Sequence, residues 1–123
     1  MEWNCASSTS TGTFRRSTDC TISGTNSGVP VKNTLEISGT NTDMNNLTTI
    51  IATTKKRHFY INNANAKLIL RYLKLTGGDL RSYSNGVDQK GLAVCIDTNG
   101  GELNLYLSIV YIGVGNSIIH LLY

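Results

Sequence analysis

Apolar residues in this chain recur in short alternating pairs. Between residues 58 and 78, Ile61, Leu68, Leu70, Leu73 and Leu75 stand at offsets of 0, 7, 9, 12 and 14. Leu68/Leu70 and Leu73/Leu75 each show the two-residue period of a strand with one buried face. The parity change between Leu70 and Leu73 is what a sharp corner between two strands produces. The stretch predicts strands at 58–61, 67–71 and 73–75, a polar turn at 62–66 and a corner at Gly77-Gly78. A helix over 64–75, with Ala66, Leu70 and Leu73 three or four apart, is the competing assignment. The Leu-x-Leu pairs argue against it.

The unit repeats. Counted from Ile96, the same offsets land on Leu103, Leu105, Ser108 and Val110. Counted from Ile22 they land on Val29 and Val31, with Leu35 and Ile37 one place late, and residues 118–122 (IIHLL) form a last partial copy. Ile96 to Ile119 is 23 residues and Ile37 to Ile61 is 24. Ile61 to Ile96 is 35, but the polar segment 79–90 (DLRSYSNGVDQK) has the character of a 12-residue insertion, and without it the spacing is again 23. A period in this range marks a solenoid, and units of short strands make it a β-solenoid. Stacking equal offsets places Lys67 over Glu102, Ile69 over Asn104 and Arg71 over Tyr106, which gives one opposite-charge pair and one cation–π pair. Upstream, strands are predicted at 21–23, 29–31, 35–37 and 47–54, with a loop at 41–46. Residues 1–19, rich in Ser and Thr, are predicted to be an irregular lead-in.

Two segments carry a family likeness: Phe59-Tyr60-Ile61 followed by the leucine pairs up to Gly77, and Gly91-Leu92-Ala93-Val94-Cys95-Ile96 followed by Gly100-Gly101-Glu102-Leu103-Asn104-Leu105. Over about residues 20–123 the chain resembles the right-handed parallel β-helix (pectin-lyase-like) superfamily. It is most similar to the non-enzymatic repeats of polymorphic outer-membrane proteins and adhesins. The resemblance implies an all-β, right-handed parallel β-helix of about four rungs over 20–123, interrupted by an insertion loop at 79–90. It implies a non-catalytic surface or extracellular module that adheres to or contacts polysaccharide or cell-surface glycan. The alternatives are a fragment of a polysaccharide lyase or glycoside hydrolase of the same fold, and a degenerate truncated copy with no independent function. One departure stands out: Ile112-Gly113-Val114-Gly115 replaces the Asn-Asn or Gly-Asn that usually follows the last strand.

At 123 residues the chain is one domain or less. Its apolar end, residues 118–123, lacks a polar cap, so a fragment of a longer chain, with end-to-end self-association, is the expectation. A net charge of +3 without a clustered basic face argues against nucleic acid. No apolar run reaches about 18 residues, so no membrane span is predicted, and no secretory leader is visible in MEWNCASSTS. An extracellular or cell-surface location therefore rests on the resemblance alone. Three cysteines leave two states open: Cys5 paired with Cys20 and Cys95 free, or all three reduced.

Candidate chemistry is sparse. The acids Glu2, Asp19, Glu36, Asp43, Asp79, Asp88, Asp97 and Glu102 include no adjacent pair. The Asp-Asp arrangement of the hydrolases is missing, and no Asp-rich turn offers calcium its several oxygens. No catalytic, metal or cofactor-binding residue is assigned, and no cofactor is expected. Lys55-Lys56-Arg57-His58 is expected to be a solvated turn tip, and Cys95 a packing thiol. Asn46-Leu47-Thr48 is a formal glycosylation acceptor. The Thr-x-Thr pairs at 9/11, 11/13 and 40/42 do not repeat at the rung period that an ice-binding ladder requires. Tyr60, Tyr72, Tyr106 and Tyr111 sit on or beside strands, mostly at outward positions, and offer an aromatic file for sugar stacking, with ordinary filling of sheet faces as the weightier reading.

Overall fold

A computed structural model describes residues 1–6, 9–22, 28–53, 57–61, 63–77, 94–96, 100–114 and 117–122. The proposed insertion at 79–90 lies outside them. Among the described residues there is no helix, and the strands form three sheets. The first sheet holds β1 (Gly12–Arg16), β4 (Thr34–Gly39), β7 (Lys67–Arg71) and β10 (Glu102–Tyr106). The second holds β2 (Cys20–Ile22), β5 (Thr48–Ala52), β8 (Leu73–Gly77), β11 (Ile109–Val114) and β12 (Ser117–Leu122). The third holds β3 (Val29–Val31), β6 (Phe59–Ile61) and β9 (Val94–Ile96). Through β11, successive strands enter the first, second and third sheets in rotation. Every pairing is parallel except that of β11 with β12. This arrangement is compatible with a β-helix.

Alternation explains the packing. In the first sheet Leu35, Leu68 and Leu103 share one register position, and Phe14, Ile37, Leu70 and Leu105 share another. The third sheet aligns Val29, Phe59 and Val94, and then Val31, Ile61 and Ile96. Leu35, Ile37, Ile50, Phe59, Ile61, Leu68, Leu70, Leu73 and Leu75 are fully buried in one cluster. The outward stacks fall as the sequence predicts. Glu102 lies opposite Lys67, with Nζ–Oε2 at 3.6 Å, and the Arg71 guanidinium sits 4.3 Å from the centre of the Tyr106 ring. Both pairs are well exposed, so each adds well under about 1 kcal/mol.

The corner between the first and second sheets turns on one residue. Tyr72 at φ 50° and Leu107 at φ 49° occupy equivalent places after β7 and β10. Ser108 stands where the repeat has Leu73, and it is fully buried. Its hydroxyl lies 3.3 Å from the Leu73 nitrogen as acceptor, and within reach of the Leu70 and Tyr106 carbonyls at 3.3 and 3.1 Å as donor. A buried hydroxyl is tolerable because the corner backbone satisfies it. Gly77 and Gly101, from the two glycine pairs, have φ of 86° and 122°. An added Cβ would strike the Ala52 carbonyl at the first and Ile61 at the second.

Three expectations are corrected. The first copy is out of phase when counted from Ile22, because Ile22 aligns with Ala52 in the second sheet while Val31 aligns with Ile61. The link from Val31 to Leu35 is short and that from Ile37 to Ile50 long, so no fixed set of offsets fits both cycles. The spacings of 23 and 24 residues are accordingly not the repeat, since Ile37 pairs with Leu70 and Ile119 with Ile112. Second, residues 118–122 are not another parallel copy. They form β12, which runs antiparallel to β11. Third, residues 1–19 are not an irregular lead-in. They carry β1, and Met1–Trp3 lies along it, with Trp3 N–H donating to the Arg15 carbonyl at 2.8 Å and Arg15 N–H to the Met1 carbonyl at 3.1 Å. Trp3 is fully buried against Phe59, with ring centres 5.6 Å apart, and Cys5 is disulfide-bonded to Cys20. Polar composition hid this segment, because one large aromatic supplies most of its burial.

Candidate functional site

Strand alternation sends every second side chain outward, so ligand chemistry has to come from outer faces and loops. Among the described residues, Glu36 pairs with Arg71 at 3.7 Å and Glu102 with Lys67. Glu2 accepts from the Ser17 hydroxyl and N–H, and the hydroxyl bond above all holds its pKa below the usual carboxylate value. Asp19 accepts from Thr49 N–H at 2.8 Å, and Asp43 from Asn45 N–H at 3.0 Å. Each of the five described carboxylates therefore holds a structural partner. No group of three or more His, Cys, Asp or Glu side chains among the described residues could hold a metal. Asp79, Asp88 and Asp97 lie outside the described residues.

Among the described residues, two depressions of the surface are candidate sites. The larger, about 580 Å³, lies beside the loop leading into β5. The loop is shaped by its own side chains: Asn41 Oδ1 accepts from Asp43 N–H at 3.0 Å, and Asn46 N–H donates to the Asp43 carbonyl at 2.9 Å. Asp19, in the link from β1 to β2, ties itself to the start of β5 and so fixes the opposite wall. Asn41, Asn45, Asn46, Ser17, Thr49 and Lys74 thus line a groove whose polar groups are mainly amides and hydroxyls. Met44 and Leu47 supply its apolar patch. The smaller depression, about 360 Å³, lies on the outer face of the third sheet around Pro30 and Tyr60. The glycosylation acceptor Asn46 is exposed in the wall of the larger groove, whereas Thr48 is buried at the start of β5.

The aromatic file does not assemble. Tyr60 belongs to the third sheet, Tyr106 to the first, Tyr111 to the second, and Tyr72 occupies a corner. Strand propensity placed these residues outward, but assigning them to one face required the sheet order. The basic run is also corrected in part. Lys55 and Lys56 lie outside the described residues, while Arg57 and His58 are buried rather than solvated. His58 faces inward because its Nε2 lies 2.9 Å from the Ile50 carbonyl of β5, a bond across sheets that no local sequence signal announces. Cys95 sits in β9 opposite Tyr60. His120 sits in β12 opposite Tyr111, far in the topology from His58.

His58 has a measurable consequence. Burial lowers its pKa from 6.5 to about 4, against the opposing pull of the Ile50 and Thr76 carbonyls. Between those values the unfolded chain binds the proton and the folded chain does not. Stability is therefore full above about pH 6.5 and is lost as pH falls toward 4, by about 3 kcal/mol in all. Urea midpoints at pH 7 and pH 4.5 check this. His58→Gln is expected to flatten most of the difference; an unchanged slope in that variant would assign it to other groups.

No described helix is long and apolar enough to cross a membrane. Comparison with known proteins finds no matching family model, no similar curated protein and no similar solved structure.

Proposed function

We propose that this chain is a right-handed parallel β-helix of the pectin-lyase-like kind, acting as a non-catalytic surface or extracellular module that contacts carbohydrate. Strands that rotate through three parallel sheets support the β-helix, and the strong right-handed preference of parallel crossovers supports its hand. The observation that carries the functional reading is the groove beside β5. Its amides and hydroxyls match sugar hydroxyls, and its carboxylate, Asp19, is held by the Thr49 N–H instead of facing a second acid across a substrate. An enzyme of this fold needs acids or bases available to the ligand, and the five described carboxylates are engaged in the fold.

A glycan array probed with the full chain tests the reading. Binding to at least one polysaccharide class is expected, weakened by Asn45→Ala and Lys74→Ala, with no new reducing ends or unsaturated sugars after prolonged incubation. Absence of binding to every glycan would overturn the carbohydrate reading. Release of cleaved sugar would replace the module with an enzyme.

A further inference from the structure

We propose that the outer face of the third sheet carries a separate subsite for one pyranose ring of gluco configuration, built on Tyr60 and Pro30. The inference rests on the carbohydrate reading and adds a place and a sugar type to it. Pro30 and Tyr60 are Cα partners on neighbouring parallel strands, so they lie about 4.8 Å apart across the sheet. Both occupy outward positions between buried neighbours: Val29 and Val31 flank Pro30, and Phe59 and Ile61 flank Tyr60. The pyrrolidine ring and the phenol together make an apolar plate about the width of a sugar ring. A proline at the centre of β3 is tolerated at the sheet's edge, where its missing N–H breaks no ladder.

Polar groups rim one side of this plate. Asn33 and Asn63 line the depression with Lys32, and all three are exposed. Their backbones are fixed: Lys32 N–H donates to the Ser10 carbonyl at 3.3 Å, the Asn33 carbonyl accepts from Lys67 N–H at 3.0 Å, and the Asn63 carbonyl accepts from Ala66 N–H at 2.9 Å. Asn63 Oδ1 already accepts from Asn65 N–H at 2.9 Å, which leaves its amide hydrogens as the group to offer. The rim is thus rich in donors, and its described lining residues include no carboxylate. An aromatic face attracts the weakly positive C–H groups of a sugar, and amide and ammonium donors suit its equatorial oxygens. A β-glucosyl ring, with every hydroxyl equatorial, offers an unbroken C–H face and a full rim of acceptors. A galactosyl ring turns its 4-hydroxyl axial, which takes one acceptor out of the equatorial rim that the Asn33, Asn63 and Lys32 donors would meet.

The test uses saturation-transfer NMR and titration of the full chain with β-1,4-linked glucose and β-1,4-linked galactose tetrasaccharides. Expected results are binding of the glucose probe with saturation concentrated on the C–H protons of one ring face, and weaker binding of the galactose probe. Tyr60→Ala should weaken the glucose probe by about tenfold, Tyr60→Phe should retain it, and Thr13→Ala, exposed on β1 and outside both depressions, should leave it unchanged. Equal binding by a folded Tyr60→Ala variant overturns the subsite, as does saturation spread over both ring faces of the wild type. If the Asn45→Ala variant alone loses a glycan found on the array, the carbohydrate reading stands and this subsite falls. If no glycan binds at all, both fall together.

Discussion

Leu70→Asp is expected to leave the chain unfolded at neutral pH. Leu70 is fully buried on β7, with Ile37 and Leu105 in register on either side and the whole apolar cluster behind it. A carboxylate there has no partner and no water, and an unpaired buried charge costs more than about 5 kcal/mol before it neutralises. That is comparable with the entire stability of a domain this size. Leu70→Ala separates charge from volume, since it should cost about 2–5 kcal/mol through cavity formation and still yield a folded chain. Leu105→Asp, at the same register position one strand on, should be milder because Leu105 lies partly exposed in the last strand of the sheet. Circular dichroism and urea midpoints distinguish the three. A folded Leu70→Asp variant, or equal damage from Leu105→Asp, would show that the two positions do not share a stack of this depth.

Loss of the Cys5–Cys20 disulfide is expected to lower stability by about 3 kcal/mol, the chain-entropy cost of reopening a loop of this length. The effect should be localised first. Residues 1–3 are held by backbone bonds to Arg15, by Trp3 Nε1 donating to the Thr9 carbonyl at 3.2 Å, and by Arg16 donating to the Trp3 carbonyl at 3.0 Å. Without the covalent tie, those bonds and the packing on Phe59 alone have to keep Trp3 in the core. Trp3 is the chain's single tryptophan, so its fluorescence reports the segment directly. Cys5→Ser, or reduction, should shift emission to the red while far-ultraviolet strand signal persists. An unchanged emission maximum, with a urea midpoint equal to the parent's, would mean that the N-terminal strand is held without the bond.

Much of the fold was legible in the sequence because alternation is a local signal. The Leu68/Leu70 and Leu103/Leu105 pairs announce their strands and their shared register, and through them the Lys67–Glu102 and Arg71–Tyr106 stacks. What escaped depends on link lengths. Between Val31 and Ile50 the connections shorten and lengthen in compensation, so counting fixed offsets placed Ile22 in the wrong sheet. The direction of β12 was hidden for another reason: an apolar run reads the same whether it continues parallel or folds back. Trp3 and His58 illustrate the limit on burial. Each lies among polar or basic neighbours and is drawn inward by a partner distant in the chain, Phe59 for one and the Ile50 carbonyl for the other.

The candidate site was less legible than the fold. Tyr60 was singled out by its aromatic character, but its partner in the plate, Pro30, follows only from the pairing of β3 with β6. The groove beside β5 has no motif at all. It arises where the 41–46 loop, Asp19 and Lys74 meet, and those residues come from three cycles of the chain. Short polar side chains of that kind carry almost no signal individually.

The core, the outward stacks and both depressions depend on parallel strands returning to the same sheet at every third strand, with Leu35, Leu68 and Leu103 in one register and Val31, Ile61 and Ile96 in another. Cross-strand nuclear Overhauser contacts on isotope-labelled protein read that pairing without an intermediate assumption. Backbone contacts are expected between Leu35 and Leu68, between Leu68 and Leu103, and between Val31 and Ile61. Contacts joining Ile37 to Ile61, or Ile96 to Ile119, would instead support a repeat of 23 or 24 residues and contradict this topology.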